Sequence, residues 1–588
     1  MKYLLLVFLS LSLCAETVIL KPIEITGEGW SGKDPFSNVT SLEKVETKVQ
    51  LQETLPGFKS PIIKGLQGDK ILLTVDGIKF SNALFRSGPN QYYSWIPDEF
   101  VKKASIDDPL GTITSSALGG SIDRTLGIDK SKVGVSFRSD NLGHTEVVKY
   151  KAKNVSLGVV NEQTSNVRTP NGEVQHSSYN QQGIFFENKS DDYGQSKLLF
   201  SKSNDIDRTD KFEKGQYYVY DLQQYLLLSH KYYLPDSDFA IIPSFQQFKE
   251  KIDKHSPNKK DTDSTNNIYG IQTVGYYDDA FDTGYISYGL VNNYEDIDYQ
   301  TGLNTNTYGY NTFSAYATFS DSYKKLDYDL LYKFSNMNVH GSGLNRNLSN
   351  NAIGIHTKYR LGYMEYVTLK GDLNYKFPTI TNLAEARDDS VDEIANPNLK
   401  QERAYTLELG YRMDWFTTSI FYKKLYDMII RTQTNIPDGN GAFKWQYNNT
   451  DEGRIYGANI EIDKKWDNGF GVYVFAEYLD GKTDYDYISK LTPIHTTSKL
   501  IYKPYYIEYL YAPKVSDDKM ALKDKTDIRI KDHNDGYSIF NLGYKKVYNK
   551  IHDVEVKLTN IFNDTGRVYG SSVDFGERGI YFGYKYNY

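Results

Sequence analysis

Residues 80–95 read Phe80-Ser81-Asn82-Ala83-Leu84-Phe85-Arg86-Ser87-Gly88-Pro89-Asn90-Gln91-Tyr92-Tyr93-Ser94-Trp95. One cation, Arg86, stands among the aromatics Phe85, Tyr92, Tyr93 and Trp95 and the amides Asn90 and Gln91. A guanidinium forms charge-assisted bonds to anionic oxygens, and aromatic faces stack on flat ligands. The set suits an anionic, aromatic or oxygen-rich small molecule. Phe85, Arg86, Asn90, Gln91, Tyr92, Tyr93 and Trp95 are therefore the candidate substrate contacts. The same residues have a competing use: the aromatics pack a core and Arg86 bridges two parts of the fold.

No other constellation points to chemistry, and no catalytic residue, metal or cofactor is expected. There is no His-Glu-x-x-His run. Gly27-Glu28-Gly29-Trp30-Ser31-Gly32 has dinucleotide-loop spacing, but Pro22 interrupts the strand before it and no apolar helix follows. Gly481-Lys482-Thr483 resembles a phosphate loop, yet position 476 is Ala where Gly is needed. Acidic clusters at 205–213, Asp261-Thr262-Asp263, Asp388-Asp389 and 524–532 lack the spacing of a calcium loop and read as solvated charge. His176, His255, His340, His495 and His533 are assigned to loops. Binding, not catalysis, is the expectation, and the chain is read as no enzyme.

What positions residues 80–95 is a compact stretch, 55–124, with glycines at 57, 65, 68, 77, 88, 111, 119 and 120. Within it, the apolar run Ile71-Leu72-Leu73-Thr74-Val75 stops at Asp76-Gly77, a strand ending in a tight turn. From Lys132 onward the texture changes to alternation. At the end of the chain, Ile580, Phe582, Tyr584, Tyr586 and Tyr588 share one face. That is the dyad pattern of a strand facing lipid. The 588 residues include 17 Pro and 52 Tyr, a balance suited to long strands. Mean hydropathy is −0.56, too polar for a helical membrane protein.

The connections alternate between short ones, such as Asp321-Ser322 and Met413-Asp414, and long polar ones. The long set includes 161–177, 204–215, 249–266, 292–310, 336–350, 378–401, 432–453, 479–493, 512–535 and 560–578. Short turns on one side and long loops on the other describe an outer-membrane barrel, here of roughly 22 antiparallel strands. Lipid cannot satisfy free backbone groups, so the sheet must close. A barrel of that size has a lumen too wide for side chains to fill, and residues 38–130 are the object to fill it. The expected fold is an all-β transmembrane barrel, 131–588, with an N-terminal α+β plug domain inside the lumen.

Ahead of the plug, Met1-Lys2 and the apolar run from Tyr3 to Leu13 form a signal peptide, 1–15, with lipidation at Cys14 as the alternative. The mature chain then has no thiol, as suits an oxidising compartment. Residues 16–37 are an exposed lead-in with two β-prone pieces, Thr17-Val18-Ile19-Leu20 and Ile23-Glu24-Ile25-Thr26, able to add to a partner's sheet edge. A net charge of −7 without a basic run argues against nucleic acid.

Several motifs together resemble the TonB-dependent outer-membrane receptors. They are Leu55-Pro56-Gly57, Lys64-Gly65, Val75-Asp76-Gly77 and Ala117-Leu118-Gly119-Gly120-Ser121-Ile122 in the plug. In the barrel they are Phe377-Pro378-Thr379, Asn396-Pro397-Asn398-Leu399-Lys400-Gln401-Glu402 and Asn560-Ile561-Phe562-Asn563. Lys64 stands where the family has Arg, and an Arg-Ala pair is missing between Phe377 and Pro378. The resemblance implies active uptake of a scarce nutrient by an integral, monomeric outer-membrane protein surrounded by lipid. It implies TonB, with ExbB and ExbD, as the partner at a TonB box, placed at Ile23, Glu24, Ile25 and Thr26. A ferric siderophore or similar iron chelate is the expected cargo. Haem or cobalamin are the alternatives within the family, although the plug has no His for haem. A passive porin or a surface adhesin is the alternative from another class, and the plug stretch argues against it.

Overall fold

The computed structural model describes residues 41–81, 83–84, 91–107, 117–190, 194–212, 215–233, 239–256, 259–281, 284–301, 304–384, 393–437, 443–449, 452–531, 533 and 535–588. Ile23, Glu24, Ile25, Thr26, Phe85, Arg86 and Asn90 fall outside them.

Twenty-two strands form one closed antiparallel barrel, from Lys132–Arg138 to Gly579–Asn587. Closure is made by the last strand on the first, in a register running from Tyr581↔Arg138 to Asn587↔Lys132. Each strand is inside-out relative to a soluble sheet. In Glu402–Met413, Tyr405, Leu407 and Leu409 are 49, 55 and 47 % exposed, while Glu402 and Ala404 are at 0 %. Apolar side chains face outward and polar ones inward, as a lipid-facing band requires. Tyr323, Tyr363 and Tyr502 stand exposed at the short-turn rim, where amphipathic rings suit a membrane–water interface.

The wall is not of even height. Seven consecutive strands, from Tyr217–Tyr233 to Leu344–Gly362, have 16 to 22 residues. Across the barrel Lys132–Arg138, Tyr505–Ala512 and His552–Thr559 have 7 or 8. Three stretches expected as loops, 249–266, 292–310 and 336–350, are thus largely strand. Their ladders run to Thr301↔Asn304 and Gly341↔Leu344. The reason is that apolar alternation marks only the lipid band of about 25 Å. A strand of 22 residues extends for about 75 Å along its axis. Beyond the lipid the outward face turns to Asn, Ser and Thr, and the ladder still satisfies the backbone.

Inside the lumen lies an α+β unit. Helix α1 (Leu42–Lys48) starts at Ser41, whose hydroxyl accepts from Lys44 N. Strands β1 (Gln50–Leu55), β2 (Phe58–Ile63) and β3 (Leu66–Gln67) form one antiparallel sheet. Strands β4 (Ile71–Val75), β5 (Ile78–Lys79), β6 (Val101–Asp107) and β7 (Gly120–Leu126) form another, in the order β5-β4-β7-β6 with β4 and β7 parallel. Ion pairs from this unit reach the wall on many sides. They include Lys48–Glu461, Lys79–Glu295, Asp76–Lys197 and Glu99–Lys149.

Candidate functional site

The hairpin β4–β5 sets where residues 80–95 begin. Asp76 and Gly77 both have positive φ, 52° and 73°, the turn that Asp-Gly favours. Asp123 of β7 accepts from Gly77 N at 2.7 Å and from Thr74 Oγ1 at 2.6 Å, which pins the turn to the sheet. The chain then rises along the tall wall and is clasped there. Gln246 accepts from Ser81 N at 3.0 Å and donates to Lys79 O at 2.8 Å. Glu295, with no exposed side chain, accepts from Ala83 N at 2.7 Å and Lys79 Nζ at 3.2 Å. Asn293 accepts from Ser81 Oγ and donates to Glu295. From above, Ile380 N donates to Ala83 O and Thr381 Oγ1 to Leu84 O. Residues 79–84 are thus held by wall residues on more than one side.

Residues Gln91–Trp95 form a short 3-10 helix. Here the expectation for Tyr93 and Trp95 as ligand contacts is corrected, because both are buried, at 1 % and 2 % exposure. Trp95 stacks on Phe248 of the wall at 4.2 Å between centroids. Tyr93 lies under the Arg124 guanidinium at 4.5 Å, and its hydroxyl meets Glu46 at 3.2 Å. Arg124 is itself buried and donates to Tyr93 O and Ile96 O, so the helix is built around it. Tyr92 is half-buried, against Phe80 at 5.7 Å and Phe248 at 5.1 Å. Large aromatics fill the plug–wall seam because each buries some 150–250 Å².

That seam continues upward as an aromatic column on the strands Tyr217–Tyr233 and Phe239–Ser256. Tyr225 stacks on Phe80 at 4.4 Å, and above it stand Tyr220 and Tyr218, 5.7 Å apart. Three cations crown Tyr218: Lys254 at 5.1 Å, Arg208 at 5.2 Å and Lys211 at 5.8 Å from its ring. The ring face holds the cations, and the cations attract anionic oxygens. Asp210 neutralises part of this charge through Arg208, at 2.9 Å. Burial would raise the Asp210 carboxyl, but Arg208, Arg529 and Lys211 hold it below the usual range. No motif marked these residues; Tyr218, Tyr220, Tyr225 and Lys254 stand on lumen-facing positions of long strands, and Arg208, Asp210 and Lys211 at the short helix Thr209–Phe212.

Loops knit over the same side. Asp524 accepts from Ser489 Oγ and Lys490 N. Burial raises Asp527, yet the Arg529 fork overcomes it and leaves the carboxyl below its usual range. Burial and Arg529 bring the Lys490 ammonium down to about 7, against the attraction of Asp527 at 3.8 Å. The motif around Asn396 is a rim staple. Asn396 Nδ2 donates to Tyr447 O at 2.8 Å, and Lys400 N to Asn449 Oδ1 at 2.8 Å.

Below the rim, a buried charge cluster joins plug to barrel. Glu402 accepts from Lys70, from Lys376 at 3.2 Å and from Ile429 N at 2.8 Å, and Lys376 also meets Asp69 at 2.8 Å. Lys64 pairs with Glu408 at 2.5 Å. His495, assigned above to a loop, is instead a buried lumen-facing residue of the strand Ile494–Tyr502. Among the described residues no three of His, Cys, Asp and Glu are grouped to hold a metal by themselves.

Comparison with known proteins follows the geometry. A family model described as TonB dependent receptor-like, beta-barrel matches residues 136–563. No curated protein matches the chain. Among solved structures, the copper transporter OprC superposes with a TM-score of 0.76 at 11 % identity, over 92 % of this chain and 94 % of that one. The Serratia marcescens hemophore receptor HasR, solved with its hemophore HasA and heme, gives 0.74 at 11 % identity, over 94 % and 98 %. The ferric yersiniabactin uptake receptor FyuA from Yersinia pestis gives 0.67 at 13 % identity, over 96 % and 99 %. At these identities the likeness is one of fold.

Proposed function

This chain belongs to the TonB-dependent receptors, and on that premise we propose that it imports a ferric siderophore or a similar iron chelate across the bacterial outer membrane. The family are transporters, so the chain carries out no reaction on its cargo. One observation favours an anionic chelate: the clasped residues 79–84 stand beside an aromatic column crowned by Arg208, Lys211 and Lys254. Such a ligand would place its carboxylate or phenolate oxygens among these cations, which the buried Tyr218 ring holds in place. Arg86 and the amides Asn90 and Gln91 would meet it from the plug side.

Energy would enter at the other end. Ile23, Glu24, Ile25 and Thr26 would add as a strand to TonB, driven by ExbB and ExbD, and the pull would pass through residues 27–40 to α1. Deleting residues 16–26 is expected to abolish uptake and leave ligand binding intact. The reading is tested by growing a strain lacking this gene on a panel of single iron sources. Loss of growth on ferric catecholates or phenolates alone supports it. Growth loss on haem or cobalamin alone replaces the cargo, and a large open conductance of the purified protein in liposomes would refute a plugged transporter.

A further inference from the structure

The seam between plug and wall is close-packed on one arc and open on another. On the packed arc Phe100 lies so near Gly158 and Gly183 that a Cβ there would come within 2.6 and 3.0 Å of its ring. On the other arc a cavity of about 190 Å³ separates α1, β2 and β6 from the strands Glu365–Lys376, Glu402–Met413, Phe416–Tyr426, Glu452–Lys465 and Phe470–Thr483. Lys64, Glu408 and Glu477 line it.

Two residues at its edge are unexplained by packing. Glu477 and His495 are cross-strand partners, so both point into the lumen at the same height. They are 7 % and 4 % exposed. Glu477 Oε2 lies 3.7 Å from His495 Nδ1, too far for a hydrogen bond, and neither ring nitrogen of His495 has a hydrogen-bond partner. An imidazole buried without a partner costs stability, and a function that uses it offsets that cost. Lys64, which also lines the cavity, pairs with Glu408.

We propose that Glu477 and His495 are two protein ligands of a divalent first-row transition-metal ion held on the plug–wall seam. Their separation of 3.7 Å is close to the ligand–ligand distance of about 3.4 Å in a tetrahedral site with bonds of about 2.0–2.2 Å. A shift of a few tenths of an ångström in either side chain closes the difference. Imidazole with carboxylate suits zinc, cobalt, nickel or copper rather than calcium or magnesium. The remaining ligands come from water in the adjoining cavity, or from donor atoms of a passing chelator. Phe475, on the same face of the strand two residues before Glu477, has its ring 5.6 Å from the imidazole. The site stands apart from the apex and from the identity of the cargo.

The test uses the purified full chain, free of any affinity tag, titrated with Co²⁺ and followed by its visible absorption and by calorimetry. One ion per chain is expected, with an absorption band that both His495→Gln and Glu477→Gln abolish. Glu477→Asp, which keeps the carboxylate, is expected to retain the band with weaker binding. His176→Ala removes an exposed rim imidazole and is expected to change nothing. Retention of the barrel by each variant is checked by its heat-modifiable migration on gels. The proposal is overturned if the wild type takes up no ion. It is overturned equally if the ion survives His495→Gln and Glu477→Gln, or if its loss follows His176→Ala.

Discussion

Replacing Glu402 by Gln keeps the shape of the side chain and removes one charge from the buried cluster that joins plug to barrel. In the native protein Glu402 faces Lys70 and Lys376, with Asp69 as the second carboxylate. Two cations and two anions balance. After Glu402→Gln, Lys376 keeps Asp69 at 2.8 Å, but Lys70 loses its only ion-pair partner among the described residues. Removing one partner of a buried pair costs about 3–5 kcal/mol, and the surviving Asp69 places this case near about 3. The introduced amide also turns a donor toward cations, while Ile429 N still needs an acceptor. The readout is hydrogen exchange of the amides of β3 and β4, which flank Lys70. A loss of about 3 kcal/mol speeds their exchange on the order of a hundredfold if they open locally. The double variant Lys70→Met with Glu402→Gln removes the stranded cation, and is expected to recover at least about 1 kcal/mol relative to the sum of the single changes. Exchange unchanged within a factor of about three in Glu402→Gln, or strictly additive single effects, would show that the cluster does not hold the plug, and the reasoning would fail.

Three further outcomes are expected. Lys254→Glu beside Tyr218 is expected to weaken binding of an anionic ferric chelate by about tenfold or more, with the loss shrinking as salt rises, measured by fluorescence quenching. Gly158→Val meets the Phe100 ring and is expected to loosen the turn before β6 by about 1–3 kcal/mol, read as faster exchange in residues 98–106. Lys490 has a folded pKa of about 7, below its unfolded value of 10.5, so the folded loop binds fewer protons across that interval. Its burial penalty is therefore full below pH 7 and fades as pH rises toward 10.5, and the loops over 484–493 and 513–536 are expected to resist protease better at pH 9 than at pH 7. Lys490→Met is expected to remove that pH dependence.

The barrel was legible because lipid imposes one rule on every strand, and residues such as Tyr405, Leu407 and Leu409 obey it. The turn at Asp76-Gly77 was legible because its two positive φ angles admit few residue pairs. The heights of the hairpins were not, since above the lipid an outward Asn347 or Ser349 looks the same in a strand as in a loop. Tyr93 and Trp95 show a second limit: an aromatic residue bears the same letter whether it meets a ligand or a neighbouring ring. Arg124, which organises both, is a single cation in an otherwise ordinary strand, β7. Gln246, Asn293 and Glu295 could have been found by parity, as polar residues on the lumen-facing side of strands whose other face is apolar. Glu477 and His495 could have been found likewise, once their strands were paired in register.

The tall wall also bears on how the molecule comes to exist. The stretches 251–264 and 295–306 are built mainly from Asp, Lys, Asn, Ser, Thr and Tyr. To reach the far side they must cross an apolar layer that rejects such residues at about 2–4 kcal/mol for each Lys or Arg at its centre. Spontaneous insertion of the finished barrel must therefore climb that barrier. The same barrier works in reverse afterwards. A tip that has emerged cannot be drawn back, so the barrel is held in place by the route of its assembly as well as by its hydrogen bonds.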